Sequence, residues 1–202
     1  MKIICIGRNY VEHANELNNA VPTSPLIFMK PQTAILQHGQ PFYHPEFSKD
    51  IHYEGEIVLK ICKNGKHIED KFASKYYDQI TYGIDFTARD LQDELKKKGQ
   101  PWELAKAFDG SAVLGEFVPI NDFNTENIDF QTFVNKKMVQ DGHTRDMIFN
   151  FNYIVSYASK FFTLKQGDLI FTGTPAGVGA VKIGDKIEGF IEGKKLLTCD
   201  VK

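Results

Sequence analysis

The sequence predicts a mainly β fold with a few peripheral helices, and three observations support this prediction. Short segments rich in β-branched and aromatic residues recur along the 202 residues, separated by Gly, Pro, Asn and Asp. Helical patterns are few, and the longest lies near residues 147–162. The sequence shows no internal repeat, low-complexity tract or interdomain linker, so we expect residues 1–202 to form a single domain.

Composition excludes several classes of protein. The net charge is −2 without a basic block, which argues against a nucleic acid partner. We also expect no membrane partner, since no apolar run approaches membrane-spanning length. The three cysteines are far apart and match no zinc or CxxC spacing, which favours the reducing cytoplasm.

The N-terminal segment predicts a buried strand at residues 2–6, followed by a short helix at residues 10–17. Asn9 is a candidate helix cap, and Glu12 three residues later completes a capping-box pattern. On this helix His13 and Glu16 lie three residues apart on one face. Such a pair is either a solvated surface contact or a histidine base oriented by a carboxylate, and the spacing alone leaves both open.

Residues 51–61 read as one strand that carries two acids, Glu54 and Glu56. Alternate side chains of a strand share a face, so the two Cα atoms should lie about 7 Å apart with both carboxylates on one side. Two neighbouring carboxylates repel each other, and a hard cation such as Mg²⁺ or Mn²⁺ relieves that repulsion. Taken alone, the pair also fits the wet face of an edge strand.

The next strand, residues 80–86, ends at Asp85, and strand ends are common places for functional sites. Thr87 is a candidate cap for a helix over residues 88–98, and Asp85 could serve as an accessory cap instead. Two polar residues share one face of that helix: Arg89 and Gln92.

Lys106 lies in an apolar neighbourhood, Leu104 to Phe108. Its ammonium group either reaches water or stays inside to meet an anion, and the sequence slightly favours the first. The segment 172–179 combines three glycines, a proline and two threonines, typical of a loop whose backbone N–H groups approach an anion, although an ordinary tight turn has the same composition. The remaining predicted strands are 26–30, 117–120, 130–139, 169–171, 186–191 and 195–201, and the amphipathic segment 147–162 predicts a helix.

Several separate stretches together resemble the fumarylacetoacetate hydrolase family. The likeness is greatest to its short members, the acylpyruvate hydrolases that also decarboxylate oxaloacetate. The matching stretches span nearly the whole chain and are Gly7-Arg8-Asn9-Tyr10 with His13 and Glu16, Phe28-Met29-Lys30-Pro31, His52-Tyr53-Glu54-Gly55-Glu56, residues 83–92, residues 97–102, Leu104-Ala105-Lys106 and residues 171–179.

The resemblance implies a mixed β-roll with a few peripheral helices, like the C-terminal domain of fumarylacetoacetate hydrolase, forming a homodimer and a single catalytic domain over residues 1–202. It implies that Mg²⁺ or Mn²⁺ is held by three residues, Glu54, Glu56 and Asp85. The catalytic residues that it implies are His13, Glu16, Gln92 and Lys106. The substrate-binding residues that it implies are Arg8, Arg89, Thr172 and Thr174.

From this resemblance we expect a metal-dependent hydrolase that cleaves the C–C bond of acylpyruvates, which are small 2-oxo acids, to give pyruvate and a carboxylic acid. We also expect it to decarboxylate oxaloacetate. In hydrolysis His13, oriented by Glu16, would take a proton from water while Lys106 and Gln92 hold the developing oxyanion. Two alternatives stay open: an isomerase or hydratase of a related 2-oxo-dienoic acid, and a non-enzymatic metal-dependent binding protein.

Overall fold

The computed structural model describes residues 1–17 and 19–202, and the mainly β prediction is confirmed. The strands are β1 Ile3–Ile6, β2 Ile27–Lys30, β3 Ile51–Tyr53, β4 Gly55–Ile61, β5 Tyr77–Asp85, β6 Thr87–Ala88, β7 Ala112–Leu114, β8 Val118–Pro119, β9 Asp129–Val134, β10 Lys137–His143, β11 Leu169–Phe171, β12 Gly179–Ala180, β13 Lys186–Ile191 and β14 Lys194–Asp200. The α-helices are α1 Val11–Glu16, α2 Arg89–Lys97, α3 Glu103–Lys106 and α4 Phe151–Phe161. Short 3₁₀ helices lie at Gln32–Ala34, Asp70–Tyr76, Ile120–Asp122 and Thr144–Asp146.

The largest sheet is mixed and has the strand order β2-β1-β11-β4-β5-β7, with β8 beside β5. β1 runs parallel to β11, whereas β4 pairs antiparallel with both β11 and β5. The central strands are buried along nearly their whole length, which explains their continuous apolar runs. This sheet carries Glu56 and Asp85, two of the acidic residues predicted to hold a metal ion.

A second, antiparallel sheet has the order β10-β9-β13-β14 and packs against β5 around Tyr82. The Tyr82 hydroxyl lies 2.5 Å from the hydroxyl of Thr132 on β9. A Cβ atom added at Gly55 would lie only 1.9 Å from the Tyr82 hydroxyl. Close packing of the two sheets therefore requires glycine between Glu54 and Glu56.

The single strand predicted over residues 51–61 is interrupted at Glu54. β3 belongs to a small sheet of order β12-β3-β6, whereas β4 belongs to the large sheet. The chain changes partners between the two segments, so Glu54 lies at the point where it passes from one sheet to the other.

Two predicted helix caps are wrong, because tertiary contacts compete for the same side chains. The N-cap position of α1 is Tyr10, while the Asn9 side chain accepts from the Phe149 N–H and donates to two distant carbonyls. The N-cap position of α2 is Ala88, and Thr87 lies in β6 with its hydroxyl 2.6 Å from the Lys106 ammonium.

Helix α4 is shorter than the amphipathic segment that predicted it, because it begins where Asn150 accepts a capping hydrogen bond from the Tyr153 N–H. Ile154, Val155 and Ala158 form its buried face, whereas Phe161 at its last position is mostly exposed. Among the helices of residues 1–17 and 19–202, none is long and apolar enough to cross a membrane. In the same part of the chain all three cysteines are free.

Candidate metal centre and active site

Three buried carboxylates converge in the large sheet. Glu54, Glu56 and Asp85 each offer an oxygen atom, and the three oxygens lie within 4.8 Å of one another. Antiparallel pairing of β4 with β5 aligns Glu56 with Gly83, and the Asp85 N–H donates to the Glu54 carbonyl at 2.8 Å. The backbone register therefore brings Asp85 to the pair of acids, as the family resemblance implied, and burial of all three excludes the alternative of a wet sheet face.

The electrostatics of this cluster fit a hard divalent cation. Burial raises the pKa of Glu56 well above its ordinary value, and the neighbouring charges of Asp85 and Glu54 raise it further. Asp85 Oδ1 is buried and, among the described residues, accepts no directed hydrogen bond, although the Lys30 ammonium lies 2.8 Å away. Three convergent oxygen donors match the preference of Mg²⁺ or Mn²⁺.

Lys106 is buried at the centre of the cluster, so the slight preference for a solvent-reaching side chain is wrong. Its ammonium donates to Glu54 Oε2 at 2.6 Å, to Asp85 Oδ2 at 2.9 Å and to the Thr87 hydroxyl at 2.6 Å. Burial alone would lower the pKa of Lys106, but the Asp85 and Glu54 carboxylates outweigh burial and raise it above its ordinary value. Lys106 is therefore a fixed positive charge inside the site.

Lys30 is a second buried ammonium that reasoning from the sequence did not assign to the site. Its Nζ lies 2.8 Å from Asp85 Oδ1 and 2.9 Å from the Ser111 hydroxyl, and it donates to the Lys106 carbonyl. It thus joins β2 to a predicted metal ligand and to the backbone of Lys106. The feature of the sequence that could have indicated a buried role for Lys30 is its position at the end of a short apolar strand.

Arg89 and Gln92 project from the first turns of α2, as predicted from their spacing. The Arg89 guanidinium donates to Glu54 Oε1, and its Nη1 donates to Gln92 Oε1 at 2.7 Å. Burial would raise the pKa of Glu54, but Lys106 and Arg89 outweigh it and hold that pKa well below its ordinary value. Glu54 is therefore ionised throughout the physiological range.

His13 is buried, whereas its partner Glu16 is partly open to solvent, so the pair lies at the edge of the site rather than wholly on the surface. His13 Nδ1 lies 3.3 Å from Glu16 Oε2, and Glu16 Oε1 accepts from the Gly177 N–H at 3.0 Å. Burial lowers the pKa of His13 below its ordinary value, although Glu54 and Glu16 oppose that effect. Because a carboxylate oxygen accepts, Nδ1 carries the proton of the neutral ring and Nε2 keeps a lone pair for use as a base.

The loop of residues 172–179 contacts the acidic cluster through its backbone. The Gly173 N–H donates to Glu56 Oε2 at 2.6 Å, and its φ of +100° suits glycine. The Thr172 and Thr174 hydroxyls donate to the carbonyls of Ile57 and Gly55 at 2.8 and 2.9 Å, so both fasten the loop to β4. Their contact with substrate stays a prediction.

Arg8 lies outside the cluster and is partly exposed. Its Nη2 donates to the Asn19 side-chain carbonyl at 2.8 Å, and burial lowers its pKa. Substrate binding by Arg8 stays a prediction.

The comparisons with known proteins agree with this geometry. The profile of the family described as fumarylacetoacetate (FAA) hydrolase C-terminal matches residues 2–202. The chain is 42% identical over 192 residues to "Oxaloacetate tautomerase FAHD1, mitochondrial" of Bos taurus, covering 95% of this chain and 87% of that protein. It is 39% identical over 199 residues to "Oxaloacetate tautomerase YcgM" of Escherichia coli, covering 98% and 91%.

A solved structure shows the same fold. Fumarylpyruvate hydrolase from Pseudomonas aeruginosa, in complex with Mn²⁺ and pyruvate, superposes with a TM-score of 0.94 at 35% identity. The match covers 100% of this chain and 89% of that one. The fold predicted from the resemblance, that of the fumarylacetoacetate hydrolase C-terminal domain, is therefore confirmed. The chain belongs to the fumarylacetoacetate hydrolase family.

Proposed function

We propose that this chain is a Mg²⁺- or Mn²⁺-dependent enzyme that interconverts the keto and enol forms of oxaloacetate, a dianionic 2-oxo acid. The charge balance of the site carries the proposal. Among the described residues, the buried carboxylates Glu54, Glu56 and Asp85 meet three buried cations, which are Lys30, Lys106 and Arg89. Binding a divalent ion to this balanced set adds two positive charges, and a substrate with two carboxylates restores neutrality.

The protein groups suit proton transfer next to a carbonyl. Glu54, Glu56 and Asp85 would hold the cation, which acts as a Lewis acid toward the oxygens of the 2-oxo acid and stabilises negative charge there. His13 would take the proton from C3 of the keto form and a proton would be delivered to the C2 oxygen to give the enol, with the reverse transfers restoring the keto form. Glu16 would fix the tautomer that leaves Nε2 unprotonated. Lys106, Arg89 and Gln92 lie where they would hold the anionic oxygens.

The second candidate function is hydrolysis of the C–C bond of acylpyruvates, with decarboxylation of oxaloacetate as a side activity. A structural relative is a fumarylpyruvate hydrolase in complex with Mn²⁺ and pyruvate, which supports this candidate. His13, with Glu16 as its partner, could equally take a proton from water. The geometry of the site gives no specific support to a 2-oxo-dienoic acid isomerase or hydratase, or to a non-enzymatic binding protein.

One panel of assays separates these activities. The ultraviolet absorbance of the enol follows oxaloacetate tautomerisation, and lactate dehydrogenase with NADH follows pyruvate release from oxaloacetate, acetylpyruvate and fumarylpyruvate. Each reaction is measured with Mg²⁺, Mn²⁺ and EDTA, against metal alone and against His13→Ala. We expect metal-dependent loss of enol that His13→Ala abolishes. Pyruvate release from acylpyruvates without tautomerisation would select the second candidate, and full activity in EDTA would refute both.

Three further features are part of this proposal. We infer that residues 1–202 act as a single catalytic domain, that the chain forms a homodimer and that it works in the cytoplasm. Light scattering of the purified protein tests the homodimer, and a monomer with full activity would exclude a need for the second copy.

A further inference from the structure

We propose that Lys96, together with Arg8, forms a second anion-binding subsite at the mouth of the active site. It would take the carboxylate of a dicarboxylic 2-oxo acid that lies farther from the acidic cluster. The inference rests on the proposed function, because it names the group that distinguishes a dicarboxylic from a monocarboxylic substrate. Lys96 is the first of three consecutive lysines, residues 96–98, at the C-terminal end of α2.

The position of Lys96 on α2 directs it to the site. Arg89, Gln92 and Lys96 lie at positions i, i+3 and i+7 of one helix and so share a face. The first two are buried and contact each other beside Glu54. The Lys96 side chain is 23% exposed, whereas Lys97 and Lys98 are fully on the outer face. Lys96 therefore continues the row of active-site residues outward.

Two aromatic rings connect Lys96 to the acidic cluster. The Lys96 ammonium lies 5.5 Å from the centre of the Trp102 ring, and that ring lies 6.1 Å from Phe28. Phe28 in turn lies 5.2 Å from the Lys106 ammonium. The rings thus form an apolar wall with a buried cation at one end and Lys96 at the other, which suits a ligand with an anionic group at each end.

Trp102 also brings Arg8 to the same place. A Cβ atom added at Gly7 would lie 3.2 Å from Trp102 Cζ3, so the backbone just before Arg8 rests on the ring that Lys96 covers. Among the described residues Arg8 has no carboxylate partner and donates to the amide of Asn19. Lys96 has only the exposed Asp93, 3.9 Å away. Arg8 and Lys96 therefore both lie beside the Trp102 ring, and among the described residues neither has a buried carboxylate as a close partner.

The charges support the same assignment. Burial lowers the pKa of Lys96 to about 8, with Arg89 and Arg8 lowering it and Asp93 and Glu54 opposing them. Like charges that repel in the free protein gain most from an incoming anion.

The experiment compares two ligands with Mg²⁺ present. 3,3-Difluorooxaloacetate has both carboxylates but no C3 hydrogen, so it cannot enolise, and pyruvate lacks the second carboxylate. Isothermal titration calorimetry measures both against wild type, Lys96→Gln, Arg8→Gln and the matched control Lys97→Gln. We expect Lys96→Gln and Arg8→Gln to weaken difluorooxaloacetate about 10-fold and pyruvate less than about 2-fold, with Lys97→Gln unchanged.

Kinetics give a second readout. Lys96→Gln should raise KM for oxaloacetate and leave kcat/KM for acetylpyruvate unchanged, if the chain turns both over. Equal weakening of difluorooxaloacetate and pyruvate, or no weakening of either, overturns the subsite. Because the binding ratio needs no turnover, a wild-type protein inactive on oxaloacetate would refute the proposed function while the titrations still decide on the subsite.

Discussion

Replacing Lys106 by Met should destabilise the metal-free protein and at the same time tighten its binding of Mn²⁺. The ammonium of Lys106 lies 2.6 Å from Glu54 Oε2 and 2.9 Å from Asp85 Oδ2, on the same carboxylates that we propose as metal ligands. Methionine keeps a similar apolar stem in the buried space but removes the charge. The lysine and the ion thus compete for the same oxygens.

The structure sets the size of the destabilisation. Removing one partner of a buried ion pair costs about 3–5 kcal/mol, because the other charge is left buried without compensation. Here Glu54 keeps Arg89 and Asp85 keeps Lys30, so the lower end, about 3 kcal/mol, applies. For a chain of this size about 3 kcal/mol corresponds to a fall in Tm of roughly 6–12 °C. The side chain of Lys106 is only 2% exposed, so solvent screening does not reduce this figure.

Thermal melting in EDTA and in Mn²⁺ tests both effects, with Lys98→Met as the control because Lys98 pairs only with Glu94 on the exposed surface. Removing a like charge a few ångströms from the ion should tighten Mn²⁺ binding at least about tenfold, measured by titration calorimetry. Turnover should fall about 100-fold, because the variant lacks the ammonium group that would hold the anionic oxygen of the substrate. If Lys106→Met melts like wild type in EDTA, or binds Mn²⁺ more weakly, the competition between lysine and ion is wrong.

Two further predictions concern protons. Burial lowers the pKa of His13, so its ring stays neutral at pH 7 and kcat/KM should fall only when the pH drops below the ordinary pKa of histidine. The free energy of unfolding should also fall over that pH range, because the unfolded chain takes up a proton there that the folded chain does not. His13→Gln should abolish the fall in kcat/KM at low pH and lower the rate at least about 100-fold. The control His38→Gln, at an exposed histidine, should change neither the pH profile nor the rate. An unaltered pH–rate profile in His13→Gln would contradict the role of His13 as the base. Glu56→Gln removes the repulsion from Asp85 and Glu54 that, with burial, raises the pKa of Glu56, so the metal-free Tm should hold or rise while the Mn²⁺-induced rise in Tm is lost. A Glu56→Gln protein that Mn²⁺ stabilises as much as wild type would exclude Glu56 as a ligand.

Local pattern was enough to predict the parts of the site that depend on strand periodicity and helix spacing. Glu54 and Glu56 converge because alternate residues of an extended chain share a side, even though the chain changes sheets at Glu54. Arg89 and Gln92 contact each other because they are three residues apart on α2. The prediction that Asp85 lies beside Glu54 and Glu56 depended on the family resemblance, since the sequence of neither strand alone determines the register between β4 and β5.

The side chains with long-range partners were beyond local pattern. Asn9 looks like a helix cap, but one capping bond cannot compete with its three hydrogen bonds to Phe149 and Thr172. The Thr87 hydroxyl likewise accepts a hydrogen bond from the Lys106 ammonium instead of capping α2. The sequence slightly favoured a Lys106 side chain that reaches water and did not assign Lys30 to the site, and only the fold shows that buried carboxylates hold both ammonium groups inside.

The balance of buried charge links the cofactor to the substrate. Three carboxylates and three cations can be buried together without a net charge, so the fold does not depend on the ion for its stability. When a divalent ion binds to this neutral set of side chains, its two positive charges stay uncompensated. A dicarboxylate cancels both of these charges, whereas a monocarboxylate cancels one. Since binding linkage is reciprocal, each ligand must strengthen the other, and the effect must be larger for the dicarboxylate.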